Sequence, residues 1–254
     1  MPRRKLIVAN WKMHKTTAEA RALVRALLAD PSWQHPDIDV VVAPPFTALA
    51  AVSDELRGNP KLAYGAQTMH WANAGAYTGE ISAPMLVELG CRYVILGHSE
   101  RRAACGETDG TINKKVASAL HHGLTPVIAI GETLEEHKAG LAKSRVREQL
   151  RAALDGLDDA ACARCVLAYE PIWAIGTGLA EDPASANDVM GTMRSCAPSL
   201  RDVRILYGGS MKPTNVAELA AQPNVDGGLV GGASLDAQTF AELIRNAHPK
   251  VATA

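Results

Sequence analysis

The sequence predicts an α/β fold, a single-domain (β/α)8 barrel that spans residues 1–254. Eight short apolar runs recur along the chain, and each is followed by helical periodicity or by a cluster of turn residues. No linker, low-complexity stretch or block of like charge divides the chain. The length of 254 residues also suits the barrel, because such domains have about 250 residues.

The apolar runs are mostly continuous stretches of Val, Ile, Leu and Ala, which is typical of parallel strands covered on both faces. The predicted strands are Lys5–Asn10, Ile38–Ala43, Lys61–Ala66, Tyr93–Gly97, Thr125–Ile130, Val166–Glu170, Arg204–Tyr207 and Val225–Val230. An open doubly wound sheet and a closed barrel both fit this alternation of strands and helices. Eight strands favour the barrel, and so does the absence of G-x-G-x-x-G after the first strand.

Several of the intervening helices carry start signals. Thr16-x-x-Glu19 and Thr133-x-x-Glu136 are capping boxes, in which a hydroxyl and a carboxylate bind free backbone N–H groups. Asp182 precedes a proline that suits the first helical turn. Asp236 begins the final helix, whose buried face is predicted to contain Phe240, Leu243 and Ile244.

Composition excludes several classes of partner. The formal net charge of −1 provides no basic field for nucleic acid, and no apolar stretch is long enough to span a membrane. The basic and apolar N-terminus lacks the long apolar region and the cleavage site of a signal peptide. The five scattered cysteines suit a reducing compartment. We therefore expect a cytoplasmic protein with no nucleic-acid or membrane partner.

Cys162-Ala-Arg-Cys165 admits three interpretations. A zinc site would need a second pair of ligands, which the other three cysteines are not spaced to supply. A redox pair would follow a strand and precede a helix, but here a predicted strand follows the motif. We favour two small residues at the entrance of a strand.

Polar and glycine residues crowd at the ends of the predicted strands. In a barrel these ends form one rim, so residues that are distant in sequence converge there. The residues concerned are Asn10, Lys12, Gln67, His98, Glu100, Glu170, Gly208, Gly209, Ser210, Gly231 and Gly232.

The two glycine-rich ends indicate an anion site. Because glycine has no Cβ, the backbone N–H groups of Gly208–Gly209 and Gly231–Gly232 can approach a phosphate closely, and Ser210 adds a hydroxyl. Phosphate sites in barrels often lie after the seventh and eighth strands. The alternative is a pair of tight turns that merely require glycine.

Three side chains at the rim could perform proton-transfer chemistry. Glu170 precedes the apolar segment from Pro171 to Gly178, which is typical of a lid that excludes water from a general base. His98 faces a predicted helix N-terminus, which favours its neutral form, and Lys12 provides a fixed positive charge for an oxyanion. Each has an ordinary alternative as a surface glutamate, a structural histidine and a solvated lysine.

Taken together, these motifs resemble the triosephosphate isomerase family over essentially the whole chain. The matching segments are Ala9-Asn-Trp-Lys12, Gly65-Ala-Gln67, Tyr77-Thr-Gly-Glu80, Ile95-Leu-Gly-His-Ser-Glu-Arg-Arg102, Ala168-Tyr-Glu-Pro-Ile-Trp-Ala-Ile-Gly-Thr-Gly178, Tyr207-Gly-Gly-Ser210 and Gly227-Gly-Leu-Val-Gly-Gly-Ala-Ser-Leu235. The resemblance implies the TIM barrel and an aldose–ketose isomerase of glycolysis and gluconeogenesis. It implies that the enzyme interconverts D-glyceraldehyde 3-phosphate and dihydroxyacetone phosphate through an enediolate, with no cofactor and no metal.

The resemblance also implies a role for each matching residue. Glu170 would be the base, neutral His98 the electrophile, and Lys12 with Asn10 the stabilisers of the enediolate. The phosphate would be held by Asn10, Lys12, Gly176, Ser210, Gly231 and Gly232. Support from behind the site would come from Ser99 and from Glu100, with Lys115 as the partner of Glu100.

The segment from Gln67 to Glu80 resembles the family's long third loop, which inserts into a partner subunit. The resemblance thus implies a homodimer in which Thr78 reaches towards the neighbouring active site. An ordinary surface loop is the alternative, but it would expose Met69, Trp71 and Tyr77 to water. Departures from the family pattern are Thr68, Ala129 and Leu179-Ala180-Glu181-Asp182, none of which is among the reacting groups.

Two other functions are alternatives to the isomerase. Another phosphate-binding barrel enzyme, such as an epimerase or a Schiff-base lyase, would require clustered metal ligands or a lysine inside a strand. A non-catalytic scaffold on the same fold would be expected to lose Lys12, His98 or Glu170, and all three are present.

Overall fold

Eight parallel strands close into a barrel in chain order, β1 to β8, and β1 pairs with β8. The computed structural model describes residues 3–31, 35–59, 62–176 and 181–248. The strands are β1 (Lys5–Asn10), β2 (Ile38–Ala43), β3 (Leu62–Ala66), β4 (Tyr93–Leu96), β5 (Thr125–Ile130), β6 (Val166–Tyr169), β7 (Ile205–Tyr207) and β8 (Gly227–Val230). The barrel expected from the sequence is confirmed.

Eleven α-helices surround the strands within the described ranges. They are α1 (Thr17–Ala29), α2 (Phe46–Glu55), α3 (Ala83–Glu88), α4 (Ser99–Cys105), α5 (Asp109–His121), α6 (Leu134–Lys138), α7 (Ala142–Leu154), α8 (Asp159–Cys162), α9 (Pro183–Arg194), α10 (Val216–Ala220) and α11 (Ala237–Asn246). Short 3-10 helices cover Ile172–Ala174, Pro198–Leu200 and Gly232–Ser234. The longest α-helices have 13 residues, and a search of the described helices found none suited to crossing a membrane.

The helix-start predictions are confirmed. Both capping boxes form at Thr16 and Thr133, since each hydroxyl accepts from the N3 amide and each glutamate binds the cap amide. Asp182 caps α9, which begins at Pro183. Asp236 caps α11, whose buried face includes the three apolar residues expected there.

The core has two layers because successive strand residues point to opposite faces. Leu6 and Val8 of β1 belong to a cluster inside the barrel, whereas Ile7 and Ala9 belong to the larger cluster between the barrel and the helices. Both faces are therefore apolar, which explains the continuous apolar runs of the sequence. The two layers hold the carboxyl ends of all eight strands at one rim.

Candidate active site

A cavity of about 630 Å³ opens at the carboxyl ends of the strands. It is lined by nine of the residues that the sequence singled out: Asn10, Lys12, His98, Gly176, Gly208, Gly209, Ser210, Gly231 and Gly232. The sequence reasoning missed Lys212, Thr239 and Glu242, which also line it. Lys212 lies two residues after the Gly-Gly-Ser motif, so its position beside a predicted phosphate site could have identified it as a residue of the cavity.

Lys12 reaches the cavity from an unusual backbone conformation. Its φ is +52°, in the left-handed region that costs energy for a residue with a Cβ. Two side chains hold that conformation, because Asn10 Oδ1 accepts from the Lys12 N–H at 3.1 Å and Gln67 Nε2 donates to the Lys12 carbonyl at 2.9 Å. The Lys12 ammonium pairs with Glu100 at 2.5 Å. The lysine is thus pre-positioned rather than a solvated surface group.

The expected pairing of Glu100 with Lys115 is wrong. Lys115 Nζ lies 2.6 Å from Glu107 Oε1 and donates to the Thr68 hydroxyl at 3.3 Å. The buried ammonium of Lys115 needs a buried carboxylate, and Glu107 provides one, whereas the side chain of Glu100 is 55% exposed. Burial alone would raise the pKa of Glu107, but hydrogen bonds from Lys115 and Arg101 outweigh it and lower that pKa.

His98 is the N-cap residue of α4, and its ring is buried at the edge of the cavity. Its Nδ1 accepts a hydrogen bond from the Glu100 N–H at 3.2 Å. A ring nitrogen that accepts from an amide carries no proton, so the neutral ring holds its proton on Nε2. His98 can therefore donate a hydrogen bond from Nε2 without being an imidazolium.

Glu170 directly follows β6, and its side chain is 2% exposed. Oε2 accepts from the Ser99 N–H at 2.8 Å, while Oε1 lies 3.1 Å from His98 Nε2 in an alignment too poor for a hydrogen bond. Glu170 is not among the residues that line the cavity. Its carboxylate rests beside His98 and Ser99, behind the cavity wall, so it must rotate to reach a bound molecule.

The two glycine-rich loops line the same cavity and lie close to Lys12 and Glu170. A Cβ at Gly231 would lie 3.4 Å from Lys12 Cε, and one at Gly208 would lie 2.8 Å from Glu170 Cγ. Glycine at these positions therefore leaves room for the two side chains as well as for a ligand. The 3-10 helix Gly232–Ser234 begins at the second pair, and Gly232 and Ala233 at its start line the cavity, where the N–H groups of a first helical turn can bind an anion.

The predicted lid segment begins as the 3-10 helix Ile172–Ala174 and reaches Gly176, whose φ is +71°. Thr177, Gly178, Leu179 and Ala180 lie outside the described residues. Trp173 Nε1 donates to Glu132 Oε1 at 2.9 Å, which fastens the start of the segment to the loop after β5. Tyr169 donates to the same oxygen at 3.1 Å.

A second buried carboxylate lies where the lid segment ends. The Glu181 N–H donates to the Tyr207 hydroxyl at 3.2 Å, and Ser185 donates to Glu181 Oε1 at 2.7 Å. Burial raises the pKa of both Glu132 and Glu181, and it raises the pKa of Tyr207 to about 12. No sequence signal indicated these buried acids, beyond the departure from the family pattern at Glu181.

The two residues assigned to a dimer loop behave differently. Thr78 is exposed, as expected, but the Gln67 side chain points inward and donates to the carbonyls of Lys12 and Ala43. The argument that an ordinary surface loop would expose Met69 is wrong, because Met69 is fully buried within the single chain. Tyr77 is 45% exposed and Met13 is 94% exposed, so an apolar surface remains.

The two cysteines of the C-x-x-C motif are free and buried. Cys162 ends α8 and Cys165 directly precedes β6, so the strand-entrance interpretation is confirmed. Burial raises the pKa of both thiols, that of Cys165 to about 12. Within the described residues, the cavity itself brings no three metal-ligating side chains together.

Comparison with known proteins agrees with this geometry. The sequence model of the family described as triosephosphate isomerase matches residues 5–247. A curated triosephosphate isomerase of Synechococcus sp. strain JA-3-3Ab is 51% identical over 243 residues, which are 94% of this chain and 93% of the relative. Those of Moorella thermoacetica and Chloroflexus aurantiacus are each 49% identical, over 95% and 94% of this chain and 98% and 97% of their own lengths.

Proposed function

The chain belongs to the triosephosphate isomerase family, and on that premise we propose how its residues perform the family's reaction. The enzyme interconverts D-glyceraldehyde 3-phosphate and dihydroxyacetone phosphate, a step of glycolysis. The chemistry moves one proton between two neighbouring carbons and one between their oxygens. It therefore requires a base for carbon, a donor for oxygen and a holder for the phosphate.

Glu170 is the base that removes the proton from one carbon and returns it to the other. The single observation that carries this assignment is its position, a fully buried carboxylate 3.1 Å from His98 Nε2 at the cavity wall. Water is kept from this carboxylate, so a proton that it takes is not lost at once to solvent. Rotation about its side-chain bonds brings it from the Ser99 amide into the cavity.

His98 and Lys12 stabilise the enediolate. The Nε2–H of neutral His98 donates to the carbonyl oxygen and moves a proton between the two oxygens, while the Lys12 ammonium faces the developing negative charge. Lys12 must leave Glu100 to do so, or share its protons between that carboxylate and the substrate. Asn10 supports Lys12 through the hydrogen bond to its amide.

The phosphate binds between the two glycine-rich loops. The cavity is lined here by Gly176, Ser210, Gly231 and Gly232, and the three glycines leave space for a phosphate because they have no side chain. Lys12 lies beside Gly231 at one side of this space. Backbone N–H groups are suited to this task because they bind an anion without a mobile charge. Lys212, at the same wall, adds a second cation.

We propose that the enzyme works as a homodimer. The loop of residues 67–80 carries the exposed Tyr77 and Thr78, and a second cavity of about 480 Å³ is lined in part by the exposed Met13. A loop from a second copy that filled this cavity would cover Met13 and would press on the segment that carries Lys12. We propose further that residues 1–254 form one domain, that no cofactor or metal is needed, and that the enzyme is cytoplasmic.

Isotope incorporation tests the role of the base. Glyceraldehyde 3-phosphate is isomerised in D2O, and the dihydroxyacetone phosphate formed is trapped by reduction and examined by NMR. A proton held by a carboxylate exchanges in part with solvent before its return, so deuterium is expected at C1 in a fraction of the product. Product with no deuterium at C1 would indicate a direct hydride shift and would contradict the proposal.

A further inference from the structure

We propose that His35, Asp37 and His248 form a binding site for a divalent transition metal ion, with zinc as the best fit, at the barrel end opposite the active site. One potential ligand atom from each residue lies within 4.8 Å of the other two. Two imidazoles and a carboxylate are the donor set that zinc accepts. The site plays no part in the isomerase reaction proposed above.

The distances suit a tetrahedral ion. His248 Nε2 and Asp37 Oδ2 lie 3.4 Å apart. Two ligands that are each about 2.0–2.1 Å from a tetrahedral zinc are separated by about 3.4 Å, so this pair needs no rearrangement. The rings of His35 and His248 lie with their centroids 4.2 Å apart and tilted by 42°, and the three potential ligand atoms lie within 4.8 Å of one another, so the third must move closer when an ion binds.

The three residues are held in place by the segment before β2 and by the end of α11. His35 and Asp37 lie just before β2, where the His35 carbonyl accepts from the Ile38 N–H and the Asp37 carbonyl accepts from the Lys5 N–H at 3.0 Å. His248 follows α11 and comes directly after the buried Ala247. An ion there would join the end of α11 to the segment before β2.

A second contact links the same two regions. Arg245 Nη1, on the last turn of α11, lies 3.2 Å from Asp30 Oδ2, at the end of α1. The approach of His248 to His35 thus follows from the docking of α11 against α1, and it does not depend on the two histidines alone. The contact between Arg245 and Asp30 therefore supports the position of His248 beside His35 independently of the two rings.

Ion binding would cost one hydrogen bond. The Asp37 N–H donates to His35 Nδ1 at 3.2 Å, so an ion at this nitrogen replaces the amide. An ion at Nε2 requires the ring proton to move to Nδ1, which also breaks that bond. Asp37 is 67% exposed, so water can bind the freed amide and can occupy the fourth position of the ion. We therefore expect micromolar rather than nanomolar affinity.

The test is a titration of tag-free, EDTA-treated protein with zinc sulfate by calorimetry. All samples carry Cys105→Ser, because this exposed free thiol could bind zinc by itself. We expect one equivalent of zinc to bind, and we expect His248→Gln and Asp37→Asn each to weaken binding by about tenfold or more. With Co²⁺ as the probe, the visible spectrum of a four-coordinate ion is expected.

The matched control is the double variant His121→Gln/His122→Gln. These two rings are also neighbours, with centroids 4.9 Å apart, but His122 Nδ1 already contacts the Ser118 carbonyl at 2.8 Å. The control should bind zinc like the parent, and all variants should keep the isomerase kcat/KM, which shows that they are folded. No binding below about 100 µM zinc, or equal binding by His248→Gln, would overturn the proposal.

Discussion

The Gln67 side chain fixes the backbone of Lys12, whose carbonyl it binds at 2.9 Å. The same amide nitrogen binds the Ala43 carbonyl at 2.9 Å, so it joins the ends of β1 and β2. Lys12 has a positive φ and therefore needs neighbours that determine its conformation. Gln67 thus acts as a positioning residue, since it reaches the cavity only through Lys12.

Gln67→Met, which removes both donors but keeps the length of the side chain, should lower kcat/KM by about tenfold to a hundredfold, because misplacement by about 1 Å has such an effect. Steady-state kinetics and a binding constant for a phosphate inhibitor check this. Gln238→Met, at an exposed position on α11, is the control and should leave both unchanged. A Gln67→Met enzyme that loses stability but keeps its kcat/KM would assign Gln67 a structural role only.

Glu181 gives a pH dependence to the stability. Burial raises its pKa above the ordinary 4.5, so between the unfolded and the folded pKa the folded protein binds more protons than the unfolded chain. The free energy of unfolding therefore falls as the pH rises from about 4.5 through the folded value. Glu181→Gln has no carboxyl group to titrate, so its free energy of unfolding does not fall in this way. Between low and high pH, its free energy of unfolding should rise relative to that of the wild type by about 1.4 kcal/mol for each pH unit that separates the unfolded from the folded pKa.

Urea denaturation at about pH 4.5 and at about pH 8 measures the effect. Asp236→Asn is the opposite control, because backbone hydrogen bonding from Thr239 lowers the pKa of that carboxyl below 3.8. The Asp236 carboxylate stabilises the folded protein above pH 3.8, and this stabilisation is lost as the pH falls through the lowered pKa. Asp236→Asn should therefore have a lower free energy of unfolding than the wild type at about pH 8. Equal pH dependence of Glu181→Gln and the wild type would contradict the first prediction.

The proposed dimer should depend on Met13 and Tyr77, two exposed apolar residues that we place at its interface. Met13→Glu combined with Tyr77→Asp should reduce the mass measured by light scattering from roughly twice 26.9 kDa to the monomer value. The activity should fall with it, since Lys12 directly precedes Met13. Leu141→Glu, at a residue that is 48% exposed elsewhere on the surface, should leave both unchanged.

The thiols should differ in reactivity. Cys105 is exposed, whereas burial raises the pKa of both Cys91 and Cys165 to about 12, so little thiolate forms at neutral pH. Ellman's reagent should label Cys105 first, and a Cys105→Ser variant should react fast only after denaturation. Rapid labelling of Cys165, or a disulfide to Cys162, would restore the redox interpretation.

The barrel could be predicted because its signal is repeated eight times and because both faces of each strand are apolar. β1, β2 and β5 have the predicted bounds, whereas β4 and β6 end one residue early. Gly97 and Glu170 directly follow the apolar runs and belong to the loops that build the rim. Side chains there serve the site rather than the sheet, so the hydrophobic pattern cannot mark the boundary.

The rim residues could be predicted because parallel strands bring their carboxyl ends together whatever the side chains are. Partners of side chains on helices could not be predicted in this way. Lys115 pairs with Glu107 rather than with Glu100 because of the way in which α4 and α5 pack, and this packing cannot be read from the spacing of residues along the chain. The approach of His248 to His35 depends likewise on the docking of α11.

The most direct test of the account compares kcat/KM for isomerisation in the wild type, in Glu170→Asp and in Glu148→Asp, with EDTA present throughout. Glu148 is exposed on α7, and its shortening controls for the loss of a methylene as such. We expect the wild type and Glu148→Asp to be equally fast and Glu170→Asp to be slower by about a hundredfold or more, since its carboxylate is misplaced by about 1 Å. A Glu170→Asp enzyme as fast as the wild type would contradict the assignment of Glu170 as the base.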